Sequence, residues 1–245
     1  MIKKLFIYIY MGFLLGLTGC GEKNDHATLH FAISAEYPPF EYQSQGQIQG
    51  FDIDLGKLIA SRLGKEAVFD NMQFSSILPA LITGQVDVAI STITITEERK
   101  KSVDFTTPYY FDGLAAVFHK ETPIKNVAQL KGKKLASQLG TTMQIWLKKN
   151  FPNEANVAMD SNNQAIEALK AGHVDVVLMD GAQAAVFSQK NPGLAYAIIT
   201  KSKDGYSLAL KKGSILTAEI NHVLKTLEAE GEIEKLKQKW LGASI

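Results

Sequence analysis

The chain has 245 residues, 46% of them hydrophobic and 21% charged, enough to bury one large core or two smaller ones. Its 26 Lys and Arg stand against 25 Asp and Glu, a balance that gives no electrostatic footprint for nucleic acid. The single cysteine excludes an intrachain disulfide and a thiolate metal cluster.

Lys3 and Lys4 precede an apolar run from Leu5 to Leu17 that is too short to span a bilayer comfortably and ends in L-T-G-C at Cys20. That order reads as an export signal over residues 1–20 closed by a bacterial lipobox, with Cys20 lipidated as the mature N-terminus. The alternative is an ordinary signal peptide that ends near a cysteine. Residues 21–28 are short and polar and read as a tether between the lipid and the folded body.

Within G-F-D-I-D-L-G-K-L-I-A-S-R-L-G, from Gly50, residues Leu55, Leu58, Ile59 and Leu63 recur at helical spacing, with Asp52 as the expected N-cap and Gly64 as the stop. Further on, A-L-I-T-G-Q-V-D-V-A-I-S from Ala80 reads as a helix ending at Gly84 and feeding a buried strand. The apolar run Tyr109–Lys120 reads as β, and K-K-L-A-S-Q-L-G-T-T-M-Q-I-W as a strand, a glycine turn and a helix start. From Ala168, A-L-K-A-G-H-V-D-V-V-L-M repeats the frame A-L-x-x-G-x-V-D-V, with Gly172 in the place of Gly84. A second apolar run covers Tyr206–Lys211. From Ile220 onward, Val223, Leu224, Leu227, Ile233, Leu236 and Trp240 are spaced helically around Gly231.

The echo makes the chain two α/β lobes: residues 29–112 with 208–245, and residues 113–207. The apolar runs near 110 and 207 are then the two crossings of a hinge, and the C-terminal helices return to the first lobe. Ligands of open α/β sheets sit outside the carboxyl ends of the strands. The offset between the copies lays Thr92 on Asp180, so the two should face each other across an interlobe cleft.

Between them the stretch S-T-I-T-I-T-E-E-R, Ser91 to Arg99, ends in one of only two arginines in a lysine-rich chain. A planar guanidinium grips a carboxylate through two parallel hydrogen bonds, which lysine cannot imitate. Gly140-Thr141-Thr142 offers free N–H groups at a helix start. Together these residues describe a zwitterion site: an α-carboxylate on Arg99, Thr92, Thr94 and Thr142, and an α-ammonium on Asp180 with help from Thr94. Other roles stay open. Arg99 could pair with Glu97 or Glu98 at the surface, Asp180 could cap the helix that follows, and Ser91, Thr92 and Thr94 could simply favour a strand.

In its motifs the chain resembles the polar amino-acid solute-binding proteins of bacterial ABC importers, the family-3 extracellular binding proteins. The likeness covers nearly all of the mature chain and is carried by Y-P-P-F (Tyr37 to Phe40), G-F-D-I-D-L (Gly50 to Leu55), I-T-I-T-E-E-R, F-T-T-P-Y-Y (Phe105 to Tyr110), L-K-G-K-K-L (Leu130 to Leu135) and L-G-T-T (Leu139 to Thr142). It implies a two-lobed periplasmic-binding-protein type II fold, a monomer without metal or cofactor, that closes on one amino acid and delivers it to a membrane permease and ATPase. It also implies that Tyr37 and Phe74 sandwich the ligand side chain, although each could equally be core. Relatives that bind basic amino acids often carry an acid three residues before that tyrosine, where this chain has Ser34. Glu36 lies close in sequence, but strand alternation could turn it away. A basic ligand is slightly favoured, because aromatic faces suit a guanidinium or an alkyl-ammonium stem. Gln138 and Gln144 keep glutamine, histidine and cystine open.

An enzyme on the same fold, a cyclohexadienyl dehydratase, is the rival function. It would need a general acid of raised pKa, whereas Asp180 is expected to stay ionised beside an ammonium, leaving only Glu36 as a loose candidate. The motifs of other enzyme classes, G-x-S-x-G, the P-loop and H-E-x-x-H among them, are missing from the sequence.

Overall fold

The structure, a computed structural model, describes residues 28–242; the signal segment, Cys20 and nearly all of the tether lie outside the described residues. The chain opens with β1 (Thr28–Ile33), a small antiparallel sheet of β2 (Glu36–Tyr37), β3 (Glu41–Ser44) and β4 (Gln47–Gln49), and helix α1 (Phe51–Arg62). β5 (Glu66–Asn71), α2 (Phe74–Thr83), β6 (Val88–Ala89), the short helix α3 (Glu97–Lys100) and β7 (Val103–Phe105) follow. Next come β8 (Gly113–His119), β9 (Leu135–Gln138), α4 (Thr142–Asn150), β10 (Asn156–Met159), α5 (Asn162–Lys170), β11 (Val176–Asp180), α6 (Gly181–Lys190) and β12 (Leu194–Lys201). β13 (Ala209–Lys211), α7 (Leu216–Ala229) and α8 (Glu232–Trp240) complete the chain.

The strands form two five-stranded sheets, ordered β5-β1-β6-β13-β7 and β10-β9-β11-β8-β12. Each has three parallel strands, then an antiparallel fourth and a fifth antiparallel to the fourth. The fourth strands, β13 and β8, are the two that immediately follow the crossings near residues 207 and 112. β6 and β11, which carry the echoed V-D-V frame, occupy the same place in their sheets. Strands covered on both faces bury both sets of alternating side chains, and Val176 to Met179 are all buried accordingly.

Helices cover both faces of each sheet. On the first, α1, α7 and α8 bury Leu55, Ile59, Leu227 and Leu236 against Phe31 and Ile33, and α2 covers the opposite face with Ile77 and Leu81. On the second, α5 and α6 pack Ile166 and Phe187 over Val177, and α4 packs Leu147 over Leu178. Gly84 is left-handed at φ 77° and caps α2, as a residue free of Cβ does at least cost.

Asp52 departs from its expected role. The N-cap of α1 is Gly50, and Asp52 lies inside the first turn with its side chain fully buried. The reason is steric. Gly50 sits at φ 136°, and a Cβ there would stand 2.1 Å from the Phe40 carbonyl oxygen. The close pass brings the Asp52 N–H to 2.8 Å from that oxygen and turns the carboxylate inward. Phe40 is locked edge-on against Tyr110 and Tyr206, at centroid distances of 5.2 and 5.5 Å.

Gly50→Ala should therefore cost about 3 kcal/mol in denaturant unfolding, combining a backbone clash with strained φ. Gly46→Ala, also at positive φ but with no neighbour within 4 Å, should cost only about 1 kcal/mol.

Candidate functional site

The carboxyl ends of the parallel strands converge on one cleft between the two sheets. Tyr37, Phe74, Thr92, Thr94 and Arg99 line it from the side of the first sheet, and Gln138, Thr141, Thr142, Asn162 and Asp180 from the side of the second. Thr92 and Asp180 thus line the same space.

Each side chain is held by local structure. Thr92 is a non-glycine residue in the left-handed region, at φ 47°. Its N–H donates to Asp52 Oδ2 at 3.0 Å, and the Tyr109 hydroxyl donates to the same oxygen at 2.9 Å. Glu41 lies against Asp52, and its Oε1 accepts the Ser91 hydroxyl at 2.6 Å. Burial and the neighbouring Asp52 push the Glu41 carboxyl well above the usual range, while burial raises Asp52 to about 6. Glu41 is thereby biased toward its neutral acid beside the Asp52 carboxylate beneath the turn.

Arg99 belongs to α3, whose N-cap Thr96 accepts the Arg99 N–H at 3.1 Å. It pairs with neither Glu97 nor Glu98, which bond Lys100 and Lys101 instead. Its guanidinium donates to the Thr94 carbonyl at 2.8 Å and, across the cleft, to the Gly140 carbonyl at 3.1 Å, and lies 5.8 Å from the centre of the Phe74 ring. Burial lowers its pKa to about 10, so it remains a cation with further N–H groups to offer.

From the other side, Asp180 ends β11 at the N-cap of α6 but makes no side-chain capping bond. It accepts the Tyr37 hydroxyl across the cleft. Burial, reinforced by the negative charge of Asp112, pushes its carboxyl up to about 7. Asp180 is therefore more readily protonated than a surface carboxylate. Thr141 caps α4, accepting the Gln144 N–H at 3.3 Å and donating to the Gln138 carbonyl at 2.7 Å. That leaves the Thr142 end of the helix facing the cleft.

Two candidates stand apart from the lining. Ser91 is fully buried behind the turn on Glu41, and Ser34, whose N–H donates to Ser91 Oγ at 3.2 Å, lines an adjoining crevice. Sequence reasoning left the direction of Glu36 open and did not name Asn162, which lines the cleft. Glu36 turns toward the second lobe, where Oε1 accepts Gln138 Nε2 at 3.0 Å. Asn162 Nδ2 donates to Gln138 Oε1 at 3.2 Å and to Gln183 Oε1 at 2.7 Å. Only a β2 too short for regular alternation, at two residues, could have signalled the first; the second carries no signal beyond its place after Ser161.

Residues 29–243 match the family model of bacterial extracellular solute-binding proteins, family 3. The chain is 34% identical to the arginine-binding extracellular protein ArtP of Bacillus subtilis (strain 168), over 98% of each chain. It is 32% identical to the L-cystine-binding protein TcyJ of Escherichia coli (strain K12), over 90% of this chain and 85% of the relative. A solved ancestral arginine-binding protein bound to arginine superposes with a TM-score of 0.84 at 40% identity, covering 87% of this chain and 97% of that one.

Because the folded, ligand-free protein favours protonated Asp180, it should lose stability as pH rises from about 4 through about 7, by at most about 1.4 kcal/mol per pH unit for that group. Asp180→Asn should reduce the slope of melting temperature against pH and raise stability at pH 8. A contribution of the same sign from Asp52, ending near pH 6, should persist.

Proposed function

The chain belongs to the bacterial extracellular solute-binding proteins of family 3, and on that premise we propose that it captures a basic amino acid, arginine in particular, for an ABC importer. The observation that carries this is the meeting of Arg99 and Asp180, a cation and an acid from different lobes, on one cleft. The α-carboxylate takes Arg99 with Thr92, Thr94 and Thr142; the α-ammonium takes Asp180, displacing the Tyr37 hydroxyl and restoring the ionised carboxylate. Tyr37 and Phe74 flank the side chain. Relatives named for arginine support the choice, and the relative named for cystine keeps a neutral polar ligand as the second reading. The family consists of solute-binding proteins rather than enzymes, which sets the dehydratase aside.

In this reading residues 29–112 with 208–245 form one lobe and 113–207 the other, joined by two crossings. The ligand docks on Arg99, and closure brings Asp180 over it, so the closed form is favoured when both ends of the amino acid are present. The closed monomer delivers its cargo to a membrane permease and ATPase. Lipidated Cys20 tethers it at the periplasmic or cell-surface face of a membrane.

Thermal unfolding against the twenty amino acids, cystine, ornithine and prephenate tests the reading. Ligand at about a thousand times Kd should stabilise the protein by roughly 4 kcal/mol, with the largest shift for arginine. Arg99→Ala should lose binding by roughly 3 to 5 kcal/mol, since it leaves a desolvated carboxylate unpaired; wild-type affinity in that variant would remove Arg99 from the site. Cys20→Ser should move the protein from the membrane to the soluble fraction, and unchanged membrane association would refute the lipid anchor.

A further inference from the structure

Beside the second sheet, α4 and α5 are each capped by the residue that precedes them. Thr141 accepts the Gln144 N–H at 3.3 Å, and Ser161 accepts the Gln164 N–H at 3.1 Å. Asp180 holds the same place before α6, with extended backbone at φ −75° and ψ 154°, yet its side chain makes no such bond. An N–H that a capping aspartate ordinarily takes, that of Ala182, donates instead to Asp112 Oδ2 at 2.9 Å, from 70 residues further along the chain. This exchange needs a bare backbone between the two acids. A Cβ on Gly181 would stand 2.7 Å from Asp112 Oδ1 and 2.6 Å from the Ile198 side chain.

Asp112 is itself held at both oxygens. Its Oδ1 accepts the Gly113 N–H at 2.6 Å, where β8 begins, and its Oδ2 lies 3.4 Å from the Tyr206 hydroxyl. Tyr206 belongs to the second crossing, which pairs with the first: its N–H donates to the Tyr110 carbonyl at 2.8 Å, and its carbonyl accepts the Tyr109 N–H at 2.9 Å. Asp112, Tyr206 and Asp180 line one recess, which shares Thr94 and Thr142 with the cleft. A continuous set of contacts therefore runs from both crossings to the acid that faces the cleft, and Asp112 sets a negative charge beside that acid.

We propose that Asp112 is a positioning residue for Asp180: by capping α6 from the first crossing, it keeps the Asp180 carboxylate turned into the cleft toward the α-ammonium of an amino acid. Without it, Asp180 would rotate onto its own helix. This inference rests on the amino-acid-binding reading above.

The experiment is calorimetric titration of the full-length protein with arginine and with δ-guanidinovalerate, which lacks only the α-amino group. Wild type should bind arginine at least about 30-fold more tightly than the analogue. Asp112→Ala should weaken arginine roughly 10- to 100-fold, leave the analogue within about threefold, and cost arginine nothing further in an Asp180→Asn background. Asp112→Asn keeps an acceptor for the Ala182 N–H and removes the charge. It should bind arginine within about threefold of wild type at pH 8. Affinity should rise with pH as Asp180 ionises, and in Asp112→Asn it should level off at lower pH than in wild type. The other titratable groups facing Asp180, namely Tyr37, Tyr206 and Arg99, are the same in both proteins. An equal loss for both ligands in Asp112→Ala, additive losses in the double variant, or an unmoved pH profile in Asp112→Asn would overturn the assignment and leave the amino-acid reading standing. A wild type that binds neither ligand, or both equally, would overturn the roles given to the cleft and this inference with them.

Discussion

The cleft depends on a carboxylate it never exposes. Asp52 accepts the Thr92 N–H and the Tyr109 hydroxyl on one oxygen, and so joins the start of α1, the turn after β6 and the entrance to the first crossing. Without that acceptor, a threonine at φ 47° has little to hold it, because the left-handed region costs a β-branched residue on the order of 1 to 2 kcal/mol. Glu41 makes the arrangement tolerable. Two buried carboxylates repel; a carboxylate beside a carboxylic acid forms a hydrogen bond. The Ser91 hydroxyl then passes the chain on to the Ser34 N–H, so β1, β3 and the turn after β6 are coupled through one polar strand of contacts inside an apolar lobe.

The ligand-free contacts across the cleft follow the same logic of substitution. Tyr37 donates to Asp180, Arg99 to a backbone carbonyl, and Gln138 to Glu36. Each adds a partner to a group held partly out of water. In the proposed reading they are weaker partners than the charges of an amino acid: a phenol for an ammonium, a neutral carbonyl for a carboxylate. The raised Asp180 carboxyl records the difference, since no cation of the protein sits close enough to outweigh burial and Asp112. In the proposed reading, an amino acid that replaces them has to exceed only these interactions, and its differential affinity for the closed state would move the lobes.

Much of this was legible because the fold repeats itself. The echoed frame placed β6 and β11 at equivalent positions in two sheets, and the offset between Thr92 and Asp180 followed by subtraction. Arg99 stood out through rarity, and the glycine at 84 through the left-handed cap that its helix needs. What the sequence hid is what depends on contacts distant along the chain. Asp52 looked like an N-cap because Asp at a helix start usually is one; only the approach of Phe40 to Gly50, with no room for a Cβ, sends it inward. Ser91 resembled its neighbours in S-T-I-T and still faces away, because a left-handed residue at 92 breaks the strand alternation that would group them. The direction in which Glu36 turns was similarly hidden, since its partner Gln138 lies a hundred positions away on β9.

The duplicated topology also explains how two similar lobes make a site for a dissimilar pair of groups. Both sheets deliver a strand end to the cleft at the same position, but the first ends in a strained turn that carries hydroxyls, and the second in a carboxylate at a helix N-terminus. Asp180 would ordinarily be spent on that helix. Instead Asp112, from the crossing between the lobes, accepts the Ala182 N–H at 2.9 Å, taking over the capping and leaving Asp180 free to face the cleft. Its charge sits close enough to raise the Asp180 carboxyl. The residue that frees Asp180 from capping is thus also one that makes it reluctant to ionise, so that in the proposed reading a hinge segment is tied to the electrostatics of the site it serves.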